Sequence, residues 1–339
     1  MIRRTVAAVA VLALAACAVA AVWAWHALWR PLDNPEPLFE VTEDATGRDV
    51  LASLHDRDLM PSELAGRLYL RLFAADRHLL YGRYRVAATS RPADILEKIL
   101  SGEVETLTLT VVEGSLAEEV AELCALAGLG TEDEWNDLIS RGALIHDVAP
   151  DAKTLEGFLF PDTYRFALGL PAAVAIEHMI DRFRTVWREE AKGELWATPL
   201  ELVTLASLVE AETSVPGERA RIAGVFANRL RRGMLLQCDP TVVYALKRRG
   251  EWHGRLLRRH WQTDDPYNTY RYPGLPPGPI NNPGRAAIAA AISPESHDAL
   301  YFVAAPGGGH TFSRTLREHE RAVAVWLRSK RERPGNLVE

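Results

Sequence analysis

The chain has 339 residues, 48% of them hydrophobic, and a formal net charge of −6; it is long enough to bury a large core and to hold two domains plus an appendage. The lack of a basic excess argues against nucleic acid as a partner, and the scattered Lys and Arg read as solvated helix faces. Cys17, Cys124 and Cys238 are too few and too separated for a disulfide scaffold or a zinc knuckle. Neither His-Glu-x-x-His spacing nor a Gly-x-Ser-x-Gly elbow occurs, so no metal, cofactor or serine nucleophile is expected.

At the amino terminus Arg3 and Arg4 precede an uncharged run over residues 5–29, and Arg30 opens a segment with Asp33, Glu36, Glu40, Glu43 and Asp44. The run suits a bilayer core of about 30 Å, with Trp23, Trp25 and Trp29 in the outer interface and the positive flank inside. Leu14-Ala15-Ala16-Cys17 resembles a lipoprotein cleavage box, but the apolar run continues to Trp29, which a cleaved signal does not need. Residues 1–30 are therefore expected to be a cytoplasmic tip and single-pass anchor in the inner (cytoplasmic) membrane. Everything from about Arg30 onward would lie in the periplasm or outside the cell.

Pro31, Pro35 and Pro37 make a short stiff linker, residues 31–37. A small α+β domain follows over 38–113. Residues 38–42 alternate as a strand, Thr46 caps a helix with Val50, Leu51 and Leu54, and Ser62 starts another through Leu68 and Leu70. Residues 81–86 are again extended, a helix over 93–100 ends at Ser101 and Gly102, and Leu107, Leu109 and Val111 alternate with threonines. No cluster of reactive groups occurs here, so the expected role is binding or spacing.

Beyond Glu113 and Gly114 a helix is expected over 115–127, and Thr131 with Glu134 boxes another containing Trp135 and Leu138. Residues 155–164, Leu-Glu-Gly-Phe-Leu-Phe-Pro-Asp-Thr-Tyr, read either as the wall of a sugar-binding groove or as a buried strand closed by a Pro-Asp turn. A helix over 171–191 leads to the central stretch. There Thr198, Pro199 and Glu201 start a helix that is apolar on most sides from Leu202 to Val209 and must stop before Pro216 and Gly217. It carries Glu210 near its end. Burial and the negative helix pole both favour the neutral acid there, the state a general acid requires. The competing reading pairs Glu210 with Arg219 or Arg221. Glu212 is about 200° away on the wheel, nearer the frayed end, and reads as solvated.

A second helix buries Ile222, Val225, Phe226 and Leu230 and stops at Gly233. Asp239 before Pro240 reads as the cap of the next helix, whereas Gln237 is free to face a groove. The proline-rigidified stretch 264–284 is long enough to be functional, and Asn282 before Pro283 reads as a helix cap. Residues 301–304 read as a strand. Gly307, Gly308 and Gly309 form a turn that is not a phosphate loop, His310 reads as a structural hydrogen-bonder, and Thr315 with Glu318 boxes a last helix ending in a basic tail, residues 328–333.

Five blocks, taken in order, resemble the MltG (YceG-like) family of endolytic murein transglycosylases. They are residues 156–164; residues 205–213; the run from Arg229 through Gln237, Asp239, Pro240 and Tyr244; Tyr267-Asn268-Thr269-Tyr270 with Gly274-Leu275-Pro276-Pro277-Gly278; and residues 308–312. The resemblance implies an α+β fold of three parts: the transmembrane helix, a LysM-like domain over 38–113, and a larger catalytic domain over 114–333, with a tail at 334–339. It implies Glu210 as the acid/base. Gln237, Asp239, Asn268, Thr269, Tyr270 and His310 would serve sugar binding or oxocarbenium stabilisation, and Glu156 the groove architecture. Cys238 departs from the pattern, where a small hydroxyl residue is expected.

The implied reaction cuts the bond between N-acetylmuramic acid and N-acetylglucosamine without water. One glutamate protonates the leaving oxygen and then takes the proton of the C6 hydroxyl, closing a 1,6-anhydro ring. The implied setting is nascent glycan strands beside the membrane, where cutting stops polymerisation, near penicillin-binding synthases. Two rivals are a hydrolase with Asp239 or Glu212 as its base, and a non-catalytic wall-binding scaffold.

Overall fold

The computed structural model describes residues 2–33, 37–42, 44–74, 77–87 and 89–332, the side chains of 2–8, 216 and 332 excepted. Pro35 and Glu36 of the linker, Glu43, and residues 333–339 lie outside the described residues. The chain is mixed α+β. It divides into two compact units, Met1–Thr108 with Arg165–Leu170, and Leu109–Tyr164 with Pro171–Glu339.

In the first unit α1 (Ile2–Trp29) is apolar on all sides, and its 21-residue stretch Val9–Trp29 has a mean hydropathy of 2.0, long enough to cross a membrane. Among its described side chains it is the last turn that is covered: Ala27 and Leu28 enter a core with Phe39, Leu54, Tyr84 and Leu96. The strand-helix-helix-strand order follows, with β1 (Leu38–Val41), α2 (Gly47–Asp56), α3 (Glu63–Phe73) and β2 (Gly82–Arg85), then α4 (Pro92–Ser101). Thr46 and Asp49 box the start of α2, the Asp49 N–H donating to Thr46 Oγ1 at 3.3 Å and the Thr46 N–H to Asp49 Oδ2 at 2.9 Å. The β1–β2 ladder is antiparallel, Leu38 facing Arg85 and Val41 facing Gly82. Gly102 ends α4 at φ 70°, a left-handed cap that suits glycine.

Then β3 (Thr106–Thr110) pairs with β4 (Thr163–Ala167). The strand in this region begins where the sequence reading ends it. Residues 155–162 are a run of turns, with Gly157 at φ 90°, and the extended segment starts at Thr163.

The second unit is helical: α5 (Ala117–Leu126), α6 (Glu132–Ile139), α7 (Ala172–Glu190), α8 (Pro199–Glu212), α9 (Arg219–Arg231), α10 (Asp239–Arg248), α11 (Arg285–Ile292), then the hairpin β5 (Tyr301–Ala304) and β6 (His310–Ser313), and α12 (Leu316–Glu332). The centre is α8. Every residue from Leu202 to Val209 is buried, against α9, α10 and α11, as a helix apolar all round must be. Thr198 and Glu201 close its first turn by reciprocal hydrogen bonds. The two polar residues within the buried run bond to backbone: Thr204 Oγ1 donates to the Leu200 carbonyl at 2.7 Å, and Ser207 Oγ donates to Thr204 O at 2.7 Å while accepting the Ile280 N–H at 3.0 Å. Burying each Leu or Val here is worth about 1.5–3 kcal/mol, so α8 is a rigid post for whatever its end carries.

Candidate active site at the end of the central helix

The last turn of α8 presents two carboxylates to different surroundings. The Glu210 side chain is 7% exposed and that of Arg219 10%, and Arg219 Nη2 donates to Glu210 Oε1 at 3.1 Å. The other oxygen, Oε2, accepts the Gly284 N–H at 3.0 Å. Glu113 Oε2 lies 3.9 Å from the same Arg219 nitrogen. Gly284 lets the Glu113 side chain lie close against the backbone there. Arg221 goes elsewhere, its guanidinium 4.5 Å over the Phe312 ring. Of the two readings of Glu210, this arrangement is that of a carboxylate paired with Arg219.

Glu212 corrects the sequence reading, which leaves it solvated. It keeps part of its surface open, but burial pushes its carboxyl above the ordinary range, against the lowering effect of a hydrogen bond from the Cys238 thiol. Asp239 raises it further, while His310 and Arg229 favour the charged form. Cys238 is itself fully buried, and burial together with the Glu212 charge pushes its thiol well up. The residues that cover Glu212 come from α9, the start of α10 and β6, none of which its own helix reveals.

Around this carboxyl the long loops converge. Asp239 is the first residue of α10, with Cys238 at the cap position and no side-chain cap. The expected capping role is therefore replaced by another: Asp239 Oδ1 accepts the Trp261 indole N–H at 3.0 Å and the Tyr270 hydroxyl at 2.7 Å. The two rings stack, centroids 5.2 Å apart at 15°, forming a half-buried platform of the kind on which sugar faces rest. Thr269 ties the loop to the helix start, its Oγ1 accepting the Cys238 N–H at 3.0 Å and its carbonyl the Gln237 N–H at 3.1 Å. Gln237 is exposed at φ 50°, a left-handed conformation uncommon outside glycine. Asn268 is fully buried. Its amide donates to the carbonyls of Trp261 at 3.0 Å and Thr263 at 2.7 Å, and its oxygen accepts the Tyr270 N–H at 3.0 Å, so it shapes the loop from within. His310 Nδ1 lies 2.6 Å from Glu218 Oε2, and its N–H donates to Glu218 Oε1 at 2.8 Å. Burial raises the Glu218 carboxyl, but those contacts outweigh it and hold it below the usual range.

Gln237, Asp239, Thr269, Tyr270 and His310 thus share one neighbourhood with Glu212 through these contacts. Glu156 makes none of them. It is buried with Oε1 accepting the Ala117 N–H at 3.0 Å and Oε2 the Tyr244 hydroxyl at 3.3 Å. Burial pushes it up to about 8. It lines a cleft of about 810 Å³ with Glu118, Glu119, Lys247, Arg248 and Trp252. Asn282 is likewise not a helix cap. Its Oδ1 accepts the N–H groups of Gly157 at 3.0 Å and Leu159 at 2.9 Å, and its Nδ2 donates to Ser115 O at 3.0 Å, clamping the turns beside Glu156.

The sequence model of the YceG-like family matches residues 39–325. The chain belongs to the YceG-like family. It is 32% identical over 305 residues to the endolytic murein transglycosylase of Bacillus subtilis (strain 168), covering 84% of this chain and 83% of that one. It is 29% identical over 281 residues to the endolytic murein transglycosylase of Streptococcus pneumoniae (strain R6), covering 74% of this chain and 51% of the relative, so it spans about half of the streptococcal protein. Among solved structures, a yceG-like protein of Listeria monocytogenes matches with a TM-score of 0.55 at 28% identity, over 84% of this chain and 97% of that one.

In this YceG-like chain, the site residues whose contacts sequence reasoning missed are Trp261, which meets Asp239 and Tyr270, and Arg229, whose charge acts on Glu212. Trp261 sits in a short turn ahead of the Asp264-Asp265-Pro266 loop. A lone aromatic before a long functional loop was the available signal. Arg229 offered none, since its Nε and Nη1 donate to the carbonyls of Leu300 and Leu236, both at 2.7 Å, contacts distant in sequence.

Proposed function

We propose that the chain is a membrane-anchored endolytic lytic transglycosylase of peptidoglycan in which Glu212 is the acid/base. The observation that carries the assignment is the surroundings of Glu212. A carboxyl held toward its neutral form stands beside Asp239, which holds the Trp261–Tyr270 platform, in a chain whose relatives are endolytic murein transglycosylases. In the first step the Glu212 proton passes to the glycosidic oxygen as the bond from C1 of N-acetylmuramic acid breaks. In the second, the Glu212 carboxylate takes the proton of the C6 hydroxyl while that oxygen bonds to C1, leaving a 1,6-anhydro end and a protonated Glu212. Gln237, exposed on its strained turn, and Tyr270 would meet the sugar directly. Thr269, Asn268 and Glu156 act by shaping the loops, and His310 by its hydrogen bonds to Glu218.

Glu210 supports the site from behind in this reading. Its oxygens are held by Arg219 and Gly284, contacts that fix the carboxylate at the helix end. The reading in which Glu210 is the acid keeps its burial in its favour and is separated from ours by substitution.

The setting follows from α1 as an anchor with its amino terminus inside. The first unit, with its LysM-like role, would bind or space glycan outside the membrane, and cutting of new strands would end their polymerisation beside a penicillin-binding synthase. The hydrolytic reading would make Asp239, whose charge acts on Glu212, the base. Product mass tests the reaction: full-length protein in detergent acting on uncross-linked strands should give anhydro-muramoyl ends. Reducing ends, one water heavier, would make it a hydrolase, and binding without cleavage a scaffold.

A further inference from the structure

The first unit leaves one helix face uncovered. On α3, Ala65, Gly66 and Tyr69 are buried, while Leu64, Leu68 and Leu72 are 67%, 44% and 63% exposed and Phe73 61%. The three leucines recur every fourth residue and so form one stripe along an 11-residue helix about 16 Å long. Arg67 and Arg71 border it, each one position before a leucine. An apolar stripe of this length on a small α+β unit calls for a covering surface.

The same unit shows what lies next to it. The end of α1 is seated in the core through Ala27 and Leu28, so no free spacer separates the apolar helix from the fold. From there an aromatic series runs to α3. Trp25 stacks on Trp29 at 4.7 Å, Trp29 meets Tyr69 edge-on at 6.0 Å, and Tyr69 lies 5.2 Å from Phe73. Trp and Tyr favour the membrane–water interface, where an apolar body and a polar edge are both satisfied. The carboxy-terminal end of α3 therefore adjoins the level at which α1 would leave the bilayer.

We propose that α3 is an interfacial helix that lies on the same membrane that α1 crosses, its Leu64-Leu68-Leu72-Phe73 face among the upper acyl chains and Arg67 and Arg71 at the headgroup phosphates. This inference rests on the reading of α1 as an anchor. Amphipathic helices with basic borders bind in this way, by buried apolar area and attraction to anionic lipid. The consequence is orientational. A helix end alone lets the first unit swivel, whereas a second contact fixes which of its faces points away from the membrane.

The test uses the full chain in vesicles of phosphatidylcholine and phosphatidylglycerol that carry a photoreactive group near the glycerol end of the acyl chain, with labelled peptides mapped by mass. Label is expected in α1 and in peptides from 63–73, and the α3 label should be lost in the combined Leu64→Asn, Leu68→Asn, Leu72→Asn variant while that in α1 persists. Label in α1 alone would overturn the proposal, leave the anchor standing and reassign the stripe to a protein partner. Label in neither would overturn the anchor, and this inference with it.

Discussion

The buried thiol of Cys238 acts on the carboxyl of Glu212, lowering what burial raises. Cys238 is fixed for this by its backbone: its N–H bonds Thr269 Oγ1 at 3.0 Å, and its carbonyl accepts both the N–H and the hydroxyl of Thr241, at 3.1 and 2.7 Å. Asp239, His310 and Arg229 also act on that carboxyl by their charges, and Glu212 in turn on the Tyr270 phenol. A hydrogen bond to the charged form favours it, so removing the donor should leave Glu212 protonated to higher pH. Cys238→Ala is therefore expected to move the alkaline limb of the activity profile upward by about half a unit to one unit. Cys238→Ser, with a stronger donor, should move it down. A pH–rate series on the two variants measures both directions, and identical profiles would remove Cys238 from the account.

Glu156 makes stability depend on pH. Its folded value of about 8 lies above the ordinary 4.5 because burial disfavours the charge. The neutral form is favoured in the fold, so this contribution is intact below about pH 4.5, declines as pH rises, and is lost above about 8, a total of up to about 5 kcal/mol. Thermal midpoints between pH 5 and 8 should fall in the parent and stay flatter in Glu156→Gln. Parallel slopes would show that Glu156 is charged throughout.

Removing Glu210 strands the guanidinium of Arg219, which is 10% exposed. Glu210→Ala should cost about 3–5 kcal/mol, as breaking a buried pair does. Glu210→Gln keeps a hydrogen-bond acceptor toward Arg219 and should cost less. Thermal melting distinguishes them, and equal melting of the alanine variant and the parent would contradict a structural pair.

Trp261 is expected to act on binding. Trp261→Ala removes the stacked partner of Tyr270 and one donor to Asp239, a loss of about 1.5 kcal/mol or roughly a tenfold rise in KM. Steady-state kinetics on soluble strands reads this, and a loss confined to kcat would show that the platform does not hold sugar.

What the sequence made legible was local. Thr46 caps its helix, and Thr131 with Glu134, Thr198 with Glu201 and Thr315 with Glu318 box theirs, because a capping box is complete within four residues. The unbroken apolar run of α8 announced its burial on every side. The misread residues are those whose partners lie far along the chain. Asp239 and Asn282 each precede a proline and have the look of caps, yet the carboxylate of Asp239 reaches Trp261 and Tyr270, and the amide of Asn282 reaches Ser115, Gly157 and Leu159. Glu212 is near a helix end, where exposure is the default, and its partial burial comes with influences from Cys238, Asp239 and His310, all distant in sequence.

The most direct test compares Glu210→Gln and Glu212→Gln in the full-length protein on uncross-linked glycan strands, with anhydro-muramoyl products counted by mass and folding monitored by melting. Glu212→Gln is expected to melt like the parent and make no product, while Glu210→Gln still cleaves at a reduced rate. Abolished cleavage in a well-folded Glu210→Gln, with Glu212→Gln still active, would contradict it and return the proton to Glu210.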